Sequence, residues 1–243
     1  MIGIIGGTGL NQLDGCKVTE QTWHETPFGE PSSVVSFAEL HGHKLAFLAR
    51  HGVPHKIAPH QINYRANLFA LKEAGVESII AINAVGGIHT ELGPTALAIP
   101  DQIIDYTYGR ESTIYDGCHT ESLDHIDFSF PYCADLREQL LDAATLAKID
   151  VLGHGTYGAT QGPRLETAAE ILRMKQDGCD MVGMTGMPEA SLAKELGMRY
   201  ACLALSVNWA AGITENTITM KDIENAIHSG IGNVHRVLAH FFK

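Results

Sequence analysis

The runs Ser78-Ile79-Ile80-Ala81-Ile82 and Ala201-Cys202-Leu203-Ala204-Leu205 decide the fold. A strand with one wet face alternates apolar and polar side chains, because successive side chains point to opposite sides. Neither run alternates; both are small or apolar throughout. They read as strands covered on both faces, the pattern of a sheet buried between helices. Around them, segments 2–5, 33–39, 44–49, 96–105, 151–160 and 181–183 read as further strands, and the two quoted runs extend over 78–83 and 200–206. Helical segments punctuate this pattern. The stretch 61–74 follows Pro59 and stops at Gly75, and 166–176 follows Gly162-Pro163 and stops near Gly178. The stretch 187–196 has Pro188 in its first turn, Glu189 beside the positive helix end and Gly197 as its stop. Longer amphipathic helices are predicted at 134–148 and 219–242. Strand–helix alternation implies an α/β fold: a single domain, 1–243, with a central mixed β-sheet flanked by helices. In such sheets ligands collect at the carboxyl ends of strands. The loops 6–10, 50–60, 84–93, 161–165, 184–187 and 207–217 therefore carry the candidate chemistry.

Composition narrows the partners. The 243 residues include 28 acidic and 17 basic side chains, a formal net charge of −11. Nucleic acid as main partner calls for a basic face, so this balance argues against it. No apolar run approaches the ~20 residues of a membrane span. The start, Met1-Ile2-Gly3-Ile4-Ile5-Gly6-Gly7, lacks the basic residues and long apolar core of a signal peptide. Cys16, Cys118, Cys133, Cys179 and Cys202 are odd in number and lack zinc-finger spacing. They read as reduced thiols of a cytoplasmic protein.

Several loops offer anion donors. Gly6-Gly7-Thr8-Gly9 follows an apolar strand, and its glycines let backbone N–H groups approach an anion while Thr8 adds a hydroxyl. A dinucleotide fingerprint fails here, because Gln12 stands where a third small residue is needed and no helix clearly follows. A tight structural turn is the competing reading. Ala49-Arg50-His51-Gly52 places a planar bidentate donor next to a glycine. A metal site from His51, His55 and His60 lacks a nearby acidic partner, and a solvated Arg-His loop is the plainer alternative. Met184-Thr185-Gly186-Met187 lies between a strand and a helix start, where an oxyanion is welcome. Glu166 opens a predicted helix and is either a helix-end carboxylate or a ligand reader. Asn208 follows an apolar strand as a turn residue or a hydrogen-bond reader.

Taken jointly, the chain resembles the trimeric nucleoside phosphorylase family. The motifs are Gly3-Ile4-Ile5-Gly6-Gly7-Thr8-Gly9-Leu10, Thr26-Pro27-Phe28-Gly29, Leu48-Ala49-Arg50-His51-Gly52 and Asn63-Tyr64-Arg65-Ala66-Asn67. They continue through Leu71-Lys72-Glu73-Ala74-Gly75, Tyr115-Asp116-Gly117, Gly162-Pro163-Arg164 and Pro188-Glu189-Ala190-Ser191-Leu192-Ala193-Lys194-Glu195, so the match runs over almost the whole chain. The resemblance implies phosphorolysis: phosphate and a purine nucleoside give a free base and a ribose 1-phosphate. It implies that Thr8, Arg50, His51, Asn83, Ala84 and Thr185 hold phosphate, that Met184 packs on the ribose and that Leu165 covers the base. It further implies that Asn208 and Glu166 read the base edge and, with His51, form the catalytic set. His125 is expected to enter a neighbouring subunit's site beside the 5′ group of a homotrimer. No metal or organic cofactor is implied; inorganic phosphate is a co-substrate.

Departures within the family set the expected substrate. The Asn208–Glu166 pair matches 6-oxopurine enzymes, whereas methylthioadenosine phosphorylases carry Asp and a small hydroxyl residue at these positions. The chemistry agrees, because a carboxylate accepts from the N1–H of hypoxanthine and an amide serves its C6 oxygen. Asn83, where those relatives have Thr, leans the same way. Asn216-Thr217-Ile218-Thr219-Met220 contains no His for a 5′-hydroxyl, and Ile218 and Met220 suit a methylthio group; a core helix start is the plainer reading of Ile218. The expected substrate is 5′-methylthioinosine. The alternatives are a general inosine/guanosine phosphorylase, a methylthioadenosine phosphorylase with an unusual base site, and a non-catalytic nucleoside- or phosphate-binding protein.

Overall fold

The structure, a computed structural model, describes residues 1–7, 16–118 and 122–243. Its centre is β5 (Ser78–Gly87), flanked by β1 (Ile2–Gly6) and β11 (Arg199–Trp209), both running parallel to it. The apolar runs work as their patterns imply. In β5, Ile79 and Ala81 enter one core while Ile80 and Ile82 enter the other. In β11, Cys202 and Ala204 join the first core, and Ala201, Leu203 and Leu205 the second. The first core packs under α1 (Tyr64–Glu73) and α4 (Glu189–Glu195), and the second under α2 (Ala134–Ala147) and α5 (Met220–Phe241). The expected α/β class, with a mixed sheet between helices, holds.

The rest of the sheet comprises β2 (Lys17–Thr22), β3 (Val35–Leu40), β4 (His43–Ala49), β6 (Leu97–Ala98), β7 (Gln102–Asp105), β8 (Val151–Leu152), β9 (Thr156–Ala159) and β10 (Met181–Gly183). The main path runs β2-β3-β4-β1-β5-β10-β9-β7; β11 adds to β5, and β6 and β8 follow from β11.

Four sequence readings need correction. The strand expected at 96–105 is two, β6 and β7, because Pro100 lacks the N–H a continuous ladder needs. The strand at 151–160 breaks at the same level into β8 and β9, where Gly155 takes φ +123°. The two breaks are tied together: Gly155 N donates to the Asp101 carboxylate at 2.8 Å and Asp101 N donates to the Gly155 carbonyl at 3.1 Å. Beyond its expected end at Asn83, β5 runs four residues further, through Ala84–Gly87, territory read as loop. The edge strand β2 is missing from the sequence reading because Lys17-Val18-Thr19-Glu20-Gln21-Thr22 buries nothing and lacks an apolar face.

Helix ends differ for local reasons. Segment 61–74 divides into a 3-10 turn, Pro59–Gln61, and α1, whose N-cap Asn63 accepts from Ala66 N at 3.1 Å. The helix α3 (Ala168–Gln176) starts after Thr167, which forms a capping box with Glu170. Glu166 therefore lies ahead of the helix, and the carboxylate serving the helix end is Glu170.

Candidate active site

A cavity of about 490 Å³ opens where the strand ends converge. Its walls are Gly7 after β1, Arg50 and His51 after β4, Ile82, Ala84, Val85 and Gly86 of β5, and Met184 and Thr185 after β10. Leu165 and Glu166 come from the loop before α3, and Val207 and Asn208 from the end of β11. The cavity thus gathers Arg50, His51, Ala84, Thr185, Leu165, Glu166, Met184, Asn208 and Ile218 of the sequence-predicted set. Three others differ. Thr8 lies outside the described residues. Asn83 is 1% exposed and sits behind the wall, and His125 is exposed and not part of the lining.

Arg50 is 2% exposed and faces a wholly buried Glu189. Its Nε donates to Glu189 Oε2 at 2.6 Å and its Nη2 to Glu189 Oε1 at 2.8 Å. Nη2 also donates to Asn83 Oδ1 at 3.1 Å, and Nη1 to the Ile82 carbonyl at 3.1 Å. Burial opposes the arginine's charge, but the Glu189 carboxylate outweighs it, so Arg50 stays charged more firmly than an ordinary arginine. A guanidinium has five N–H groups. Four are committed here, so among the described residues one N–H on Nη1 is left for a ligand. The bidentate fork read from sequence is spent inside the protein.

Glu189 opens α4, beside the helix end as expected, but the partners of its carboxylate were not part of the sequence reading. Its carboxylate accepts from the Tyr200 hydroxyl at 2.9 Å as well as from Arg50. A usable signal existed: an acid among Met187, Ala190, Leu192 and Ala193, all buried, needs a partner, and a buried carboxylate without one is costly.

His51 stacks on His55, with ring centroids 4.2 Å apart and 10° between planes. Its Nδ1 lies 2.8 Å from the Ile57 carbonyl, which can only accept, so Nδ1 carries the proton and Nε2 a lone pair. Burial, aided by the Arg50 charge, pushes His51 down to about 4. At neutral pH it is therefore an uncharged acceptor. His55 is lowered for the same two reasons. Among the described residues no three His, Cys, Asp or Glu side chains are grouped to hold a metal ion.

The far end carries Glu166 and Asn208. Thr160, buried after β9, donates its hydroxyl to Glu166 Oε1 at 2.6 Å, leaving Oε2 for a ligand. Asn208 follows an irregularity in the β11–β5 register between Ser206 and Asn208 that re-aims the strand end. One of its Nδ2 hydrogens goes to the Trp209 carbonyl at 2.7 Å, leaving the other and Oδ1 available. Thr160 went unremarked in the sequence because a hydroxyl at a strand end has many ordinary uses. The apolar wall is wider than Ile218 and Met220: Ile223, Ile227 and Ile231 recur at helical i, i+4 spacing along α5 and line the same cavity. A second, more polar cavity of about 650 Å³ adjoins through Val207, Asn208 and Ile218.

The chain is similar throughout its length to known enzymes. A probable S-methyl-5′-thioinosine phosphorylase of Pseudomonas syringae pv. tomato is 51% identical over 236 residues, 97% of this chain and 96% of that relative. A 6-oxopurine nucleoside phosphorylase of Pyrococcus furiosus is 44% identical over 226 residues, 91% of this chain and 84% of its own length. A methylthioadenosine phosphorylase from an antarctic soil metagenomic library superposes with a TM-score of 0.91 at 35% identity, covering 99% of this chain and 84% of that one. The family model described as the phosphorylase superfamily matches residues 1–243, and the chain belongs to that family.

Proposed function

We propose that the protein catalyses phosphorolysis of S-methyl-5′-thioinosine, yielding hypoxanthine and 5-methylthioribose 1-phosphate. One observation carries the reading: a carboxylate and an amide for a 6-oxopurine, Glu166 and Asn208, share a cavity with the apolar α5 wall. The name of the Pseudomonas syringae relative supports it.

In this reading inorganic phosphate is the co-substrate and binds at the Arg50 end. It takes the remaining Arg50 N–H and the Thr185 hydroxyl, and gives its own O–H to the His51 lone pair. A phosphate oxygen bonds to C1′ as the C1′–N9 bond breaks, and the bond pair passes to the purine. Positive charge on the sugar is met by phosphate. Negative charge on the base is met by Asn208, whose free N–H donates to the C6 oxygen while Oδ1 accepts from the N7–H that forms as N7 takes a proton from water, the hydroxide left behind returning to solvent. Glu166 Oε2 accepts from N1–H. Preorganised dipoles in a site shielded from water stabilise such separated charge, and one lost donor costs about 10²–10³ in rate. The methylthio group packs on α5, and Met184 on the ribose. We further propose a cytoplasmic homotrimer in which exposed His125 reaches a neighbouring site. No described helix is long and apolar enough to cross a membrane.

A second reading, a general 6-oxopurine nucleoside phosphorylase, is favoured by the name of the Pyrococcus furiosus relative. A panel with phosphate, crossing hypoxanthine and adenine with methylthio and hydroxyl 5′ groups, separates them. Methylthioinosine should give the highest kcat/KM. Parity with inosine would establish the second reading, and faster cleavage of methylthioadenosine would overturn both.

A further inference from the structure

Arg110 lines none of the cavities described above, yet it holds the loops that do. Its Nη1 donates to the Met184 carbonyl at 2.8 Å and the Met187 carbonyl at 2.6 Å. Its Nη2 donates to the Thr160 carbonyl at 3.0 Å and the Gln161 carbonyl at 2.9 Å, and Nε to Gln161 Oε1 at 3.1 Å. A further contact runs from Nη1 to the Tyr64 hydroxyl at 3.2 Å, and that hydroxyl donates to the carbonyl of Pro59, another cavity residue. One rigid fork therefore spans the ends of β9 and β10 and reaches the loop after β4.

We propose that Arg110 is a positioning residue that sets the base-reading and sugar-facing loops in register, and so contributes to discrimination at C6 of the purine. The inference rests on the proposed function and deepens it. Thr160 shows the route. Its carbonyl is held by Arg110, its N–H by the Gly183 carbonyl at 2.8 Å, and its hydroxyl orients Glu166. Met184 gives the other arm: peptide planarity means that fixing its carbonyl also fixes the N–H of Thr185 on the opposite side. Lysine cannot replace this arrangement, because a compact ammonium lacks five donors in fixed directions. The α5 wall receives no hydrogen bond from Arg110, so recognition of the 5′ group lies outside its reach.

The test compares Arg110→Ala and Arg110→Lys with the unaltered protein. A misplacement of about 1 Å costs about 100-fold, so kcat/KM for methylthioinosine should fall by about that factor in both variants, with KM rising. The preference for methylthioinosine over methylthioadenosine should shrink about tenfold, while the preference for methylthioinosine over inosine stays put. Millimolar guanidinium should restore part of the Arg110→Ala activity, and ammonium should not. Thr160→Val, nearly isosteric, provides a variant that spares the fork and should shrink the same C6 preference. Calorimetric affinities for hypoxanthine and adenine read that preference without turnover. Unchanged C6 preference in folded Arg110→Ala, or full recovery with lysine, would overturn the inference; unchanged preference in Thr160→Val would remove the proposed route through Glu166 and overturn it as well. Failure of the unaltered protein to cleave methylthioinosine would instead overturn the functional reading, and the base-binding ratio would still judge Arg110.

Discussion

The two ends of the cavity are built on different principles. At the Arg50 end, Arg50 and Glu189 are almost wholly buried, paired through two hydrogen bonds and backed by Tyr200 and Asn83. At the other end, Glu166 on the loop before α3 and Asn208 near the end of β11 are only partly buried, each anchored by one short hydrogen bond, and Leu165 beside Glu166 is 40% exposed. A buried ion pair is costly to break but holds one geometry. A partly exposed side chain with one anchor changes partners more cheaply than a buried, doubly paired one. Under the proposed function, the rigid end would carry the chemistry common to many substrates and the adaptable end the choice among purines.

The comparison is tested hardest at Glu189. Glu189→Ala leaves the Arg50 charge buried and unpaired, which typically costs about 3–5 kcal/mol, or roughly 6–20 °C in Tm for a domain of this size. The double variant Arg50→Met/Glu189→Leu replaces the pair with apolar groups. It should recover much of that Tm and none of the phosphorolysis. A thermal melt and a phosphate-dependent assay check both, and an unchanged Tm in Glu189→Ala would show that the pair does not anchor this end.

At the other end, Asn208→Asp should change specificity rather than stability. Aspartate is acceptor-only, so it suits a 6-amino group and opposes a C6 oxygen. The ratio of kcat/KM for methylthioinosine over methylthioadenosine should fall by about 100-fold, within the range that unmatched polar groups produce. The shift stays incomplete while Glu166 remains, and the Trp209 carbonyl loses its donor. An unchanged ratio would remove Asn208 from base recognition.

How much of this was legible depends on the range of the interaction. The central strands were readable because both faces of β5 and β11 are apolar, a property carried by each residue. The edge strand β2 was not, because it is held by backbone pairing to β3, which leaves no mark on its polar side chains. The site residues were placed by motif resemblance, and most converge on one cavity. What escaped was partnership across the chain: Arg50 with Glu189 is separated by 139 positions, and Arg110 with Met184 by 74. Composition names the residue types that want partners; only the fold says which partner each receives. The Arg50–Asn83 hydrogen bond, between residues both expected at a ligand, is such a partnership.

A smaller effect should come from α5. Ile223→Ser and Ile227→Ser each trade methylthio-compatible surface for a hydroxyl. Groups of this size in apolar pockets discriminate by about 1–3 kcal/mol, so the preference for methylthioinosine over inosine should fall by roughly tenfold. The C6 preference should hold. If both ratios moved together, the division between α5 and the base readers would fail.

The smallest effect is the pH response of His51, and its sign follows from its surroundings. Burial holds the folded side chain at about 4, against an ordinary 6.5. Between these values the unfolded chain binds a proton that the folded chain refuses, so stability rises with pH across that window. The contribution is complete above about 6.5 and is lost as pH falls toward 4. Arg50 opposes protonation from behind and His55 from the stacked face, and the latter titrates in the same direction. Partial exposure screens these interactions, which keeps the effect modest. His51→Asn should therefore flatten part of the decline in Tm between pH 6.5 and 4 and leave a remnant from His55. Imidazole nitrogen shifts should show Nδ1 protonated and Nε2 bare at neutral pH, because the Ile57 carbonyl can only accept. A charged ring there, or the opposite tautomer, would reverse the role of His51 at the Arg50 end from acceptor to donor, and the phosphate would then have to arrive without the proton assigned to it.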